Sequence, residues 1–316
     1  MTHRLRNRVP RLPATALALL FAGFAPASAQ APAALISQFR GDVKVLKVAD
    51  GAVLPAKVGL RLVEGDRVDV ARGSRAVLLF NNGRVVTATT LMVVATVGGA
   101  GASEVYERMA RAAASAERQN RPGAKSAVGR PPPAGAYPLA PAFGSAVVSD
   151  RPTFAWHPQE GAETYVVQIR LAAGGPPLRF PVTGAGPWTL PDTVAPLARG
   201  AEYAWTVAPL SGGRAGGEER FRVLDDEALA DLTAFQASLV EAGVDPDGEG
   251  LLLVAVFTAD LGLLHEAEAA LERLIAATPE VERDPWVDLL HAQVLEKLGR
   301  SDEAKAAYDR AQRTGG

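Results

Sequence analysis

The sequence predicts a multidomain chain, β then α, in which two β domains precede a helical end. Up to about residue 224, apolar and polar residues alternate in short runs such as GDVKVLKV and TYVVQIR, the period of half-buried strands. From residue 226 the period becomes that of amphipathic helices, as in LADLTAFQASLVEAG. Between the β blocks lies RPGAKSAVGRPPPAGAYPLAP, too rich in proline and glycine to pack a core. At 316 residues, 48% of them hydrophobic, the chain has room for two or three ordinary domains.

Residues 1–29 have the pattern of a signal peptide. Arg4, Arg6, Arg8 and Arg11 precede the short apolar run ATALALLFAGFA, and Ala27-Ser28-Ala29 gives a small-residue cleavage site. The run is shorter than the roughly 20 residues a membrane span needs. The expectation is therefore export by the general secretory route, cleavage after Ala29 and a periplasmic location, with no transmembrane segment after cleavage. Cysteine is absent, which excludes disulfides, thiolate metal sites and a lipid-modified cysteine. Losing the first 29 residues removes four arginines and no acids, leaving 29 basic side chains against 35 acidic ones. That balance argues against a nucleic-acid partner, because binding phosphates needs a cationic surface.

Residues 33–97 are predicted to be a β domain. Val43 and Val45 share a face opposite Lys44, Gly51 turns the chain, and Glu64-Gly65-Asp66 breaks the next apolar series. AVLLF at 76–80 and VVTAT at 85–89 flank Asn81-Asn82-Gly83, a strong hairpin signal in which both Asn82 and Gly83 are expected to accept positive φ. Gly41 with Val43, Leu62 to Asp66, Gly73-Ser74 and Asn82-Gly83 together resemble the pattern of a FecR-type domain over about 60 residues. Around Leu54-Pro55 the tryptophan frequent in that family is missing. The family's signalling members carry a cytoplasmic segment and a membrane span ahead of this domain. A signal segment stands in that place here, which argues against inner-membrane signalling but leaves open whether the domain takes part in signalling.

Residues 98–138 are predicted to be a helix and then the linker. Val105, Met109, Ala112 and Ala116 fall on one helical side, and Ser103 is the expected N-cap. The glycines at 98, 99 and 101 could suggest a phosphate cradle, but no βαβ unit follows them.

Residues 139–224 form the second β block. In PTFAWHPQEGAETYVVQIR, alternation puts Trp156 and His157 on opposite faces of a strand, and Tyr165, Val167 and Ile169 share a face of the next. His157 with Glu160 and Glu163 lacks metal-ligand spacing, so a solvent-facing strand histidine is expected. In LARGAEYAWTV, Leu197, Gly200 and Tyr203 resemble the tyrosine corner of fibronectin type III domains, with Arg199 where that family prefers proline. The resemblance implies an immunoglobulin-like β-sandwich in which the tyrosine hydroxyl bonds back to upstream backbone.

Residues 226–316 carry an internal repeat. Ala255 and Ala292, Gly262 and Gly299, Ala267 and Ala304, and Leu271 and Tyr308 are each 37 residues apart. The pattern resembles the tetratricopeptide repeat, whose unit is a helix pair. The helix at 226–242 would add half a repeat. Two repeats are fewer than the three usually needed, so packing against the middle sandwich or a partner is expected.

No nucleophile elbow, zinc-protease helix motif or phosphate loop occurs, and no residue is assigned a catalytic, cofactor or metal role. Asp245-Pro246-Asp247-Gly248-Glu249 begins like a calcium loop but lacks the closing ligands, so a turn with Asp247 as N-cap is expected. His265 and His291 are read as isolated surface or groove positions. The leading expectation is a non-enzymatic periplasmic scaffold of the bacterial envelope that binds a protein or peptide through the helical repeats. By analogy with such repeats, Trp286, Gln293, Glu296 and Lys297 would face the partner groove, although Trp286 could equally be core. A second reading is a cell-wall (peptidoglycan) glycan-binding module using Trp188 and Tyr137 as stacking aromatics. The third is a hydrolase whose acids converge only in space.

Overall fold

The computed structural model describes residues 31–95, 106–107, 109–111, 114, 135–184, 186–212, 216–241, 243–248 and 250–314. The signal segment, Ser103 and most of the 98–138 linker lie outside these residues. Their architecture is a β region followed by a helical region.

The first sandwich packs two four-stranded sheets. One contains β4 (Arg61–Leu62), β1 (Ala34–Arg40), β6 (Arg75–Phe80) and β7 (Val85–Ala88), in that order. The other contains β3 (Val53–Pro55), β2 (Val43–Leu46), β5 (Arg67–Val70) and β8 (Met92–Val93). Ile36, Val45, Leu62, Val68, Leu78 and Phe80 fill the space between the sheets.

The turn motifs hold these sheets by specific bonds. Gly65 has a φ of +87°, and a Cβ there would sit 3.3 Å from the Val48 side chain. That turn delivers the Asp66 carboxylate, fully buried, to the backbone N–H groups of Val48 and Val63, each at 2.9 Å, and to the Lys47 ammonium. Burial alone would raise the Asp66 pKa; Lys47 and the two N–H donors outweigh it and hold the carboxyl below its usual range. Gly41, at φ +79°, leaves room for Ser74, whose hydroxyl accepts from Asp42 N–H at 3.0 Å. The Asn81-Asn82-Gly83 hairpin differs from expectation, because only Gly83 has positive φ. Phe80 N–H donates to Arg84 O and Asn82 Oδ1 accepts from Arg84 N–H, the bonds of a three-residue loop with one left-handed position.

The middle domain is an immunoglobulin-like two-sheet sandwich. One sheet runs β10 (Ser145–Val147), β16 (Glu219–Val223), β15 (Glu202–Pro209), β12 (Thr164–Leu171), β13 (Leu178–Thr183). The other runs β14 (Trp188–Thr189), β11 (Thr153–His157), β9 (Tyr137–Ala140). Phe154, Trp156, Tyr165, Trp205 and Phe221 form its core. The Tyr203 hydroxyl accepts from Ala198 N–H at 2.7 Å, fixing the crossing connection as a tyrosine corner does. Tyr165 closes the turn after β11, accepting from Gln159 N–H and lying 3.1 Å from Ala162 O.

The helical region comprises α1 (Asp226–Glu241), α2 (Leu251–Leu261), α3 (Leu264–Ala277), α4 (Pro285–Lys297) and α5 (Ser301–Thr314), with a short 3-10 turn at Glu280–Glu282. Two helix pairs, α2–α3 and α4–α5, turn at Gly262 and Gly299, both with positive φ. Ala255, Ala267, Ala292 and Ala304 are buried at matching places in the two pairs, where small side chains let helices approach. The helix before β9 contributes Tyr106, Met109 and Ala110 to the same core.

These parts share hydrophobic and polar contacts. The sheet containing β1 and β6 turns Leu35, Val77, Leu79 and Val85 away from its own sandwich and into the helical core. Val58 N–H donates to Asp284 at the start of α4, at 3.0 Å. The middle sandwich docks through Ala146 N–H to Gly262 O at 2.7 Å, and a Cβ at Gly262 would touch Ala146. Arg199, the departure from the proline pattern, donates to Val148 O and Leu224 O and lies near Asp150 and Asp226, bridging the sandwich to α1.

Candidate functional site

The helices bring together polar side chains that are scattered along the sequence. Asp288, on α4 and fully buried, accepts from Arg283 Nε and Arg310 Nε, each at 2.9 Å. Arg283 is buried with it and also reaches Thr278 O at 3.0 Å and Ile275 O at 3.3 Å, the orphan carbonyls at the end of α3. An Arg–Asp–Arg triad therefore ties three helices together. Both charges on the central axis are paired and hydrogen-bonded, which is the condition for burying them.

Beside it lies a second cluster. Glu268 and Glu272 are one turn apart on α3, and His291 faces them from α4. Each offers a ligand atom, all within 4.8 Å of one another. Glu268 is 7% exposed and pairs through Oε1 with Arg300, which also holds Glu303. Its Oε2 lies 3.8 Å from His265 Nδ1. His291 is 8% exposed, a correction to its surface reading: α4 turns it inward on the same side as Asp288. Its Nδ1 lies 3.5 Å from Arg310, and its Nε2 has no partner among the described residues. Burial, and then the Arg310 charge, push the His291 pKa down and favour neutral imidazole.

The predicted groove residues divide. Trp286 is 5% exposed and belongs to the helical core, so it does not face a free groove. Its indole Nε1–H and the Gln293 amide nitrogen are buried without partners among the described residues. Glu296, half-buried, accepts from the Tyr308 hydroxyl at 3.0 Å; burial and this carboxylate raise the Tyr308 pKa. Lys297 is exposed. α2, nearly all of whose residues are buried, is enclosed by α1, α3 and the first sandwich.

The glycan-stacking aromatics are also engaged. Trp188 packs on Phe154 and Phe180, and Tyr137 stacks on His157 with ring centroids 4.8 Å apart. His157 is an exposed strand residue. Asp247 does not cap α2, whose N-cap is Gly250; it receives Arg273 Nη1 at 2.9 Å instead. Asp245 organises that turn, accepting from Asp247 N–H at 3.0 Å through its side chain. A cleft of about 640 Å³ opens between Arg40, Arg75, Leu251 and the end of α3, with Arg273 held to its wall by Asp247.

No protein-family model matches the chain, and no curated protein matches it. Among solved structures, it is similar to a two fibronectin type III domain segment of chicken tenascin, at 14% identity and a TM-score of 0.20, covering 60% of this chain and 90% of that one. It is also similar to the FN1–FN3 domains of chicken CNTN1, at 10% identity and a TM-score of 0.22, covering 62% of each chain. Likeness at this level bears on neither partner nor activity.

Proposed function

We propose that the chain is a non-enzymatic scaffold of the bacterial periplasm, exported and cleaved after Ala29, that presents a protein- or peptide-binding surface on its helical end. In this reading the first sandwich is a FecR-like domain, the middle one a fibronectin type III-like domain, and the helix pairs tetratricopeptide-like repeats. The observation that carries it is the joining of both sandwiches to the helices by bonds at Asp284, Gly262 and Arg199. Such joints hold modules at a fixed spacing, which is what a scaffold requires.

The burial of α2 and Trp286 moves the partner surface toward the C-terminal end of α4. There Gln293, Glu296 and Lys297 form one helical stripe, with the polar outer face of α5 adjacent. A photo-reactive side chain at position 297 of the mature chain, exposed to periplasmic extract, should give one discrete protein adduct. The same label at exposed Val281 serves as control. Equal labelling from both positions, or none from position 297, would overturn this surface.

A further inference from the structure

We propose that Glu268, Glu272 and His291 form a divalent transition-metal site that clamps the first helix pair to the second. Three observations converge on it. The ligand atoms already lie within 4.8 Å of one another and come from two helices. His291 is nine-tenths buried, and its Nε2 has no hydrogen-bond partner among the described residues, an arrangement that burial penalises unless something else occupies the lone pair. Glu268 is also buried and has its Oε1 oriented by Arg300, as outer contacts orient metal-ligating carboxylates.

The donor set selects the class of cation. One imidazole with two carboxylates suits zinc, cobalt, manganese or iron in the +2 state better than calcium or magnesium, which take oxygen ligands. Ligands at about 2.1 Å from zinc stand about 3.4 Å apart in a tetrahedron, so a small closing movement is needed. Glu272 is exposed and free to make it. Coordination by His291 Nε2 puts the ring proton on Nδ1, so the long contact from Arg310 opens; Arg310 keeps Asp288 as its partner. Arg300 keeps Glu303 whether or not it stays on Glu268. Water can fill the remaining positions of the coordination sphere. Two repeats joined by a metal would share the constraint that a third repeat usually provides.

The test uses the untagged mature chain, stripped with chelator and titrated with Zn²⁺ by calorimetry and with Co²⁺ by its visible d–d absorption. The expected result is one equivalent per chain, a raised Tm, and a cobalt spectrum showing mixed nitrogen and oxygen ligation. Glu272→Gln and His291→Gln should each weaken Zn²⁺ binding at least tenfold and abolish the Tm rise. Should His291→Gln not fold, Glu272→Gln decides, because its side chain is exposed and circular dichroism can verify its fold. No uptake by the natural chain, or undiminished uptake by Glu272→Gln, would overturn the site.

Discussion

The two sheets of the first sandwich enclose one core, yet they are written differently in the sequence. In the sheet of β2 and β5, VKVL and RVDV alternate strictly, and Lys44, Arg67 and Asp69 meet water. In the sheet of β1 and β6, AVLLF has no alternation, and every residue from Ala76 to Phe80 is buried. The difference lies outside the sandwich. One sheet is covered on a single face, whereas the other has helices on its second face, and a strand buried on both sides is apolar throughout. A sheet's pattern thus reports its neighbours as well as its own fold.

The comparison is broken most severely by placing charge on the doubly covered sheet. Leu79→Asp should destabilise by more than about 4 kcal/mol and leave little folded chain, since an unpaired carboxylate would be buried between strand and helix. Leu79→Ala should cost about 3 kcal/mol through the cavity it leaves, seen as a lower urea midpoint. If Leu79→Ala unfolds the helices and the first sandwich in a single transition, the two are one cooperative unit; separate transitions would show that the shared face is only an adhesive contact.

Next in size is Asp66→Ala, expected to cost about 3 kcal/mol because it strands two backbone N–H groups and the Lys47 charge. Asp66 also sets a pH dependence. Its folded pKa is depressed, so its contribution is complete above the unfolded value of roughly 3.9 and is lost as pH falls through the folded value. Acid titration of the natural chain and of Asp66→Asn should show a shallower loss for the variant below pH of about 4.

At the joint itself, Asp284→Ala should cost about 2 kcal/mol, combining the lost cap of α4 with the lost bond from Val58. Asp284→Asn should behave differently. Burial raises the Asp284 pKa against the opposing pull of its two N–H donors, so the carboxylate weakens folding as pH rises above its unfolded value. Asparagine retains a capping oxygen without that charge. The asparagine variant should therefore lie closer to the natural chain at low pH, where Asp284 is protonated, and gain stability relative to it at neutral pH, measured by urea unfolding at both. The smallest effect is expected at Val53, 62% exposed on the singly covered sheet, where Val53→Thr should stay within about 0.5 kcal/mol by the same measurement.

Much of the fold was legible locally. Gly65-Asp66, Gly41 with Ser74, and the Leu197–Tyr203 corner are turn chemistry, and each requires its residue type because backbone geometry leaves no alternative. The hairpin at Asn82 was misjudged in detail because an Asn-Gly pair fits both a two-residue loop and a three-residue loop with a single left-handed residue. His291 is misplaced, and Trp286 left between groove and core, for a different reason. Helical periodicity separates faces but does not say which face a neighbouring domain will cover, and α4 has apolar residues on most of its circumference. A signal was present in AVLLF, whose missing alternation required a second covering layer, and the helices were the available one. The Glu268, Glu272 and His291 cluster had no such signal, since the two glutamates share one helix and His291 reaches them from another only once the helix pairs have packed.

The sequence by itself determined the period of the singly covered strands and of the helices, the turns that need glycine, and the likeness between the two helix pairs, because these depend on interactions within a few residues. Only the tertiary structure decided which faces meet. It covered the sheet of β1 and β6 with helices, joined α4 to Val58 through Asp284, and brought His291 against two glutamates. Those outcomes depend on apolar area buried between distant segments, a quantity that exists only once the chain has closed on itself.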